Sequence, residues 1–301
     1  MRMRIFARAV AVAAALACMS VGAMAGLVSY KDLLARPHAA PDAKIAYGAG
    51  PEQFVELWLP KAKGSHPVIL LVHGGCWLAE LPGLELMNPM AEALRDKGFA
   101  VWNIEYRRIG SQGGGYPATF QDASAAADLM RSKAAQYGLD LKRVIAVGHS
   151  AGGHLAMWLA ARGHLPAGSV LRGGDPLKIA AVVSLAGILD LKGYREDGAA
   201  CGGAPTVDGI TGAASRPGQD VYADTSPQAL LPIGVAQVVI SGALDPIVPA
   251  HWQLSYHAAA RRAGENPVTI EIADAGHFEL IDPRAPASWP IIEGAIAALA
   301  K

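Results

Sequence analysis

Charge is scarce in this sequence and nowhere concentrated. Only 17% of its 301 residues are charged, 26 basic against 26 acidic, for a formal net charge of zero. No run of Lys or Arg occurs outside the extreme N-terminus, so the electrostatic footprint that nucleic-acid binding requires is missing. Long apolar runs are missing too. Mean hydropathy is positive, yet no stretch after residue 30 approaches the roughly 20 residues of a membrane span, and the body of the chain is expected to be soluble. Neither an internal repeat nor a low-complexity tail is visible. Cysteine is limited to Cys18, Cys76 and Cys201.

The first 25 residues stand apart. Arg2, Arg4 and Arg8 precede an uncharged Ala/Val-rich run ending in Ala23-Met24-Ala25, a small-x-small cleavage site. This composition predicts a bacterial secretory signal peptide over 1–25, cleaved after Ala25, and a periplasmic or secreted product. An uncleaved anchor is the alternative, because no charge occurs between Ala9 and Tyr30. The run is Ala-rich and weakly hydrophobic, which favours cleavage. Cys18 has no leucine three residues before it, so lipoprotein processing has little support. Cleavage would leave Cys76 and Cys201, which an oxidising compartment would allow to pair. Their spacing does not say that they meet, and two free buried thiols are an equal alternative.

Residues 26–52 read as a lead-in arm with a short helix near Lys31 to Leu34, broken by Pro37, Pro41, Gly48, Gly50 and Pro51. The catalytic unit is expected over 53–301. Gln53 to Leu59 alternates like an outer, half-exposed strand, whereas Val68-Ile69-Leu70-Leu71-Val72 is apolar throughout, as in a strand covered on both faces. Further strands are predicted over 99–104, 144–147, 179–185, 235–241 and 268–272, with helices over 88–97, 120–137, 151–162, 249–263 and 286–300. This alternation predicts an α/β fold of six or seven strands, a mostly parallel sheet with helices on both faces. Between Gly187 and Gln228 the periodicity is lost in a stretch rich in Gly, Ala, Pro and Asp, read as an irregular cap over the site.

The chemistry centres on Gly148-His149-Ser150-Ala151-Gly152, between an apolar strand and a helix. The bare Gly-x-Ser-x-Gly pattern is expected about 0.2 times by chance in a chain this rich in glycine, so its context must carry it. A strand-to-helix turn lifts the serine hydroxyl clear of the backbone while the helix N-terminus points unpaired N–H groups at the same place. A serine nucleophile needs a histidine base and a carboxylate to hold that base. Asp245, after the penultimate strand, and His277, after the last, stand in the order this turn type uses. Asp190, Glu271, Asp274 and Asp282 are the rival acids, and Asp245 could be only a turn residue before Pro246. His154, His164, His251 and His257 read as ordinary polar residues on helices or surface turns, and His149 as a packing residue beside the serine. His73-Gly74-Gly75-Cys76-Trp77 follows the strand at 68–72, and its paired glycines let backbone approach a substrate. The expected oxyanion donors are the N–H groups of Gly75, Cys76 and Ala151. Trp77 and His149 are candidates for the pocket wall, Trp77 with a core or cap contact as its alternative.

His-Gly-Gly-x-Trp, Gly148-His149-Ser150-Ala151-Gly152-Gly153-His154-Leu155, Asp245 and Gly276-His277-Phe278 together resemble the α/β-hydrolase superfamily. The chain is most similar to its esterase and lipase branch, with the BD-FAE-type and kynurenine-formamidase-like enzymes. Tyr116-Pro117 followed by Asp122, and Ser226-Pro227, add to the likeness, which spans roughly 53–301. It implies an α/β-hydrolase fold with Ser150, Asp245 and His277 as nucleophile, acid and base. It also implies an acyl-enzyme with no metal or organic cofactor, and a small-molecule ester as substrate. Cys76, where an aromatic residue is usual, and the 187–228 insert depart from the pattern. The expected activity is that of an exported carboxylesterase on small to medium esters. The alternatives are an arylformamidase, disfavoured by the export signal; a peptidase, disfavoured by the absence of a gating domain; and a non-catalytic binding protein, which would not need the three residues together.

Overall fold

A computed structural model of the chain describes residues 26–198 and 200–301, so the predicted signal peptide lies outside the described residues. Eight strands form one sheet: β1 (Ala43–Ala46), β2 (Phe54–Trp58), β3 (His66–Val72), β4 (Ala100–Ile104), β5 (Leu139–His149), β6 (Ala181–Leu185), β7 (Ala236–Gly242) and β8 (Val268–Ile272). Their spatial order is β1-β2-β4-β3-β5-β6-β7-β8. Pairing is antiparallel for β1–β2 and β2–β4 and parallel for the rest. β3 sits between parallel neighbours, and Val68 to Val72 are fully buried, which is why that run carries no polar residue.

The arm adds a strand that its composition hides. β1 has four residues of alternating exposure, too short to show a pattern. It is pinned to the end of β2 by Asp42, whose N–H donates to the Leu57 carbonyl and whose carboxylate accepts from Leu59 N–H, each at 2.7 Å. The sheet therefore has eight strands rather than six or seven. β2, expected at the outside, is covered by β1 and buries Val55, Leu57 and Trp58 completely.

Helices α1 (Tyr30–Leu34), α2 (Asn88–Asp96), α3 (Ala118–Tyr137) and α4 (Ala151–Ala161) fall close to the sequence expectation. α1 opens on a Ser29–Asp32 capping box, and α3 stops at Gly138 in the left-handed conformation. The stretch 187–228 is not irregular throughout. It holds α5 (Leu191–Asp197) and α6 (Gly203–Thr211), which pack on each other. Asp190 caps α5 by accepting from Gly193 N–H, and Gly212 ends α6. Its Gly- and Pro-rich composition masks two helices too short for a clear period. α7 (His251–Arg262) and α8 (Trp289–Leu299) complete the chain. Among the described residues no helix is long and apolar enough to cross a membrane.

Candidate active site

The loops at the C-terminal ends of the parallel strands converge on Ser150. The chain leaves β5 through Gly148, turns at Ser150 with φ 56° and ψ −123°, and enters α4 directly. Positive φ is costly for a residue with a Cβ. Ser150 N–H donates to the Leu185 carbonyl at 2.8 Å, and close backbone packing holds the rest of the turn. A Cβ on Gly148 would overlap the Gly152 carbonyl oxygen, and one on Gly152 would overlap the carbonyl oxygens of both Val72 and His73. One on Gly153 would stand 2.7 Å from Gly187 Cα. The glycines flanking the serine are thus required by the space between β3, β5 and α4.

Asp245 lies in the turn after β7 and His277 in the loop after β8. His277 Nδ1 is 2.6 Å from Asp245 Oδ2, while Asp245 Oδ1 accepts from the N–H groups of Ile247 (2.7 Å) and Val248 (2.9 Å). Asp245 is therefore both a turn residue and the partner of a histidine, and the two readings do not compete. With Nδ1–H given to the carboxylate, Nε2 keeps its lone pair as a base. The rival acids are engaged or turned outward: Asp190 caps α5, Asp282 pairs with Arg36 at 2.6 Å, and Glu271 and Asp274 are exposed.

Ser150 is not hydrogen-bonded to His277; its neighbour makes the connection. The buried His149 ring donates from Nε2 to the His277 carbonyl at 3.0 Å, and the two rings lie 4.4 Å apart. Burial, then the neighbouring His277, pushes the His149 imidazole well below the usual histidine range, so it is neutral. His149, offered by the sequence as a pocket residue, is 1% exposed and instead joins the serine turn to the His277 loop.

The loop after β3 lies against this turn. A Cβ on Gly74 would stand 3.0 Å from Ser150 Cβ. Gly75, Cys76 and Trp77 follow with φ of 95°, 51° and 57°, the last two on residues for which that region is strained. Trp77 donates from Nε1 to His154 Nδ1 at 3.2 Å, and its carbonyl accepts from Ile109 N–H at 2.8 Å. Cys76 is disulfide-bonded to Cys201, 125 residues away, with Cα atoms 5.2 Å apart. The base of the loop is held by His73, whose Nε2 lies 2.9 Å from Glu105 and whose ring stacks on Tyr106 at 4.3 Å. Glu105 also accepts from the N–H groups of Tyr106 (2.9 Å) and Leu84 (3.1 Å). Burial would raise the Glu105 carboxyl, but His73, Arg108 and the Tyr106 N–H outweigh it and hold it at about 2.

One expectation is corrected here. Trp77 is completely buried, so it belongs to the core beneath the loop and not to the pocket wall. His154 lies on helix α4 and is fully buried; it accepts from Trp77 and donates from Nε2 to the Thr225 carbonyl at 2.8 Å. Burial lowers its pKa to about 4. Of the two alternatives for the cysteines, the structure holds the paired one. Glu105 and Glu279 escaped sequence reasoning. Glu105 carried a faint signal, a carboxylate directly after the buried strand β4. Glu279 accepts from Gly276 N–H at 3.0 Å, beside His277, and from Val28 N–H in the arm, a contact no local pattern announces.

The BD-FAE family model matches residues 55–258, a span running from β2 through the serine turn and the cap into α7. The chain belongs to the BD-FAE family. It thus sits in the esterase and lipase branch of the α/β-hydrolases. It is 26% identical over 293 residues to esterase LipC of Mycobacterium tuberculosis, covering 88% of this chain and 70% of that relative. It is 34% identical over 104 residues to carboxylesterase NlhH of the same species, a match to 34% of this chain and 31% of that one. Esterase B from Lactobacillus rhamnosis shares the fold at a TM-score of 0.73, with 19% identity over 90% of each chain.

Proposed function

We propose that this BD-FAE member is an exported carboxylesterase that cleaves small to medium carboxylic esters through an acyl-enzyme on Ser150. At the coarser level it is an ester-hydrolysing serine hydrolase. The reading is carried by one observation: the 2.6 Å bond from His277 to Asp245 sits on the loop that His149 ties to the Ser150 turn.

In the proposed sequence Ser150 Oγ attacks the ester carbonyl carbon as His277 Nε2 takes the hydroxyl proton, and Asp245 stabilises the imidazolium. The oxygen that gains negative charge accepts from the N–H groups of Ala151, at the free N-terminus of α4, and of Gly75 and Cys76. Each such donor is worth about 3 kcal/mol. The imidazolium returns its proton to the departing alcohol, leaving the acyl group on Ser150. A water then repeats the steps, giving its proton to His277, releasing the carboxylic acid and restoring Ser150. No metal or organic cofactor takes part. The N-terminal composition supports export, and the Cys76–Cys201 disulfide accords with an oxidising compartment.

The test is hydrolysis of p-nitrophenyl acetate and butyrate by protein purified from the periplasm, beside Ser150→Ala. The variant is expected to lose at least about 1,000-fold in kcat. Equal rates would overturn the assignment. Turnover of N-formylkynurenine in the same assay is expected to be the slower reaction.

A further inference from the structure

The loop that presents the oxyanion donors is joined to the cap by one covalent bond. Cys201, 2% exposed, lies between α5 and α6, and its partner Cys76 stands at φ 51° among three consecutive left-handed residues. The three are not held alike. Gly75 adopts positive φ without penalty. Trp77 is anchored by its buried indole and by its carbonyl. Cys76 is strained like Trp77, and its side-chain tether is the disulfide. A non-glycine residue in this region costs on the order of 1–3 kcal/mol and persists only where its surroundings over-determine it.

We infer that Cys201 is a positioning residue for ester hydrolysis: through the disulfide, the cap holds Cys76 in the conformation that aims its N–H at the developing oxyanion. The inference rests on the proposed role of the Cys76 N–H and of Ser150. It makes turnover depend on oxidation state. A dithiol reductant that supplies two electrons and two protons to the bridge becomes a disulfide itself and leaves two thiols, and Cys76 is then free to relax to negative φ. Its N–H rotates away, while the Asp245–His277 pair is untouched.

The experiment compares steady-state kinetics of wild type, Cys201→Ser and the double variant Cys76→Gly/Cys201→Ser. Folding is checked by circular dichroism and free thiols are counted. Loss of a whole oxyanion donor costs about 100- to 1,000-fold in kcat, so loosening one is expected to lower kcat about tenfold in Cys201→Ser, with KM within about twofold. Glycine at position 76 removes the strain and should recover kcat to within about threefold of wild type without restoring the bridge. A disulfide that only stabilises the fold predicts the opposite, since glycine would loosen the chain further. Unchanged kcat in Cys201→Ser, a loss expressed in KM alone, or no recovery with glycine would each overturn the inference. Should Cys201→Ser fail to fold, wild type reduced by dithiothreitol and then reoxidised takes its place. A tenfold drop that reverses is expected, and thiol exposure with no change in rate would overturn the inference. Absence of Ser150-dependent turnover in the oxidised wild type would instead remove the parent assignment, and Ser150→Ala reads that separately.

Discussion

Ser150 at φ 56° and Cys76 at φ 51° occupy the same costly region of backbone space, on turns that lie against each other, yet they are kept there by different means. The serine turn is held by the absence of side chains. Gly148 and Gly152 let strand and helix backbones close to distances at which no Cβ fits. The loop after β3 is held by the presence of side chains: His73 on Glu105, Trp77 on His154 and Cys76 on Cys201, separated by 32, 77 and 125 residues. One turn should fail when an atom is added, the other when a partner is taken away.

The largest expected effect is on the first turn. In Gly152→Ala the new methyl meets two backbone carbonyl oxygens that cannot swing aside, and a loss of about 3 kcal/mol or more is expected in urea unfolding. Wild-type stability in that variant would break the contrast. Glu105→Gln probes the second turn more gently, keeping the shape but removing the charge beside His73. It should cost about 2 kcal/mol, because hydrogen bonds to a buried ion are lost, and lower kcat severalfold through the loop base. A variant with altered stability and unchanged kcat would detach Glu105 from the loop's function.

A dependence on pH is expected to touch stability alone. His154 has its folded pKa lowered to about 4 from an ordinary 6.5, so its contribution is fully present above about 6.5 and is lost as pH falls toward 4, where only the unfolded chain takes the proton. Wild type should lose about 2 kcal/mol from this group between pH 7 and 5, and His154→Gln should flatten that part of the profile. Urea midpoints at the two pH values measure it. Because His149 is also lowered by burial, some slope should remain, and identical profiles would remove His154 from the acid response.

The same difference in means explains what could be read in advance. Strands β3, β4, β6 and β7 announce themselves as mostly apolar runs, and α2 and α3 by their spacing and the glycines that follow them, because burial on both faces or along one stripe leaves a local pattern. Asp245 and His277, which the structure pairs, were legible as candidates because each follows a strand. β1 was invisible, being four residues whose only reason to be extended is the neighbouring β2. α5 and α6 hid in a composition that suggests loops. Trp77 and His149, offered as pocket residues, proved to be buried struts, since their side chains answer to His154 and His277 across the fold.

What the sequence determined by itself was the alternation of strand and helix, and the tight glycine-flanked turn at Ser150. Period and the size of a missing side chain act over a few residues and are written where they act. Tertiary structure alone decided that Cys76 meets Cys201, that Glu105 lies under His73, that Asp245 rather than Asp190 or Asp282 reaches His277, and that the arm closes the sheet edge. Those outcomes depend on which strand ends and loops the sheet brings side by side, and a separation of 32 or 125 residues leaves no trace in the spacing of the residues it joins.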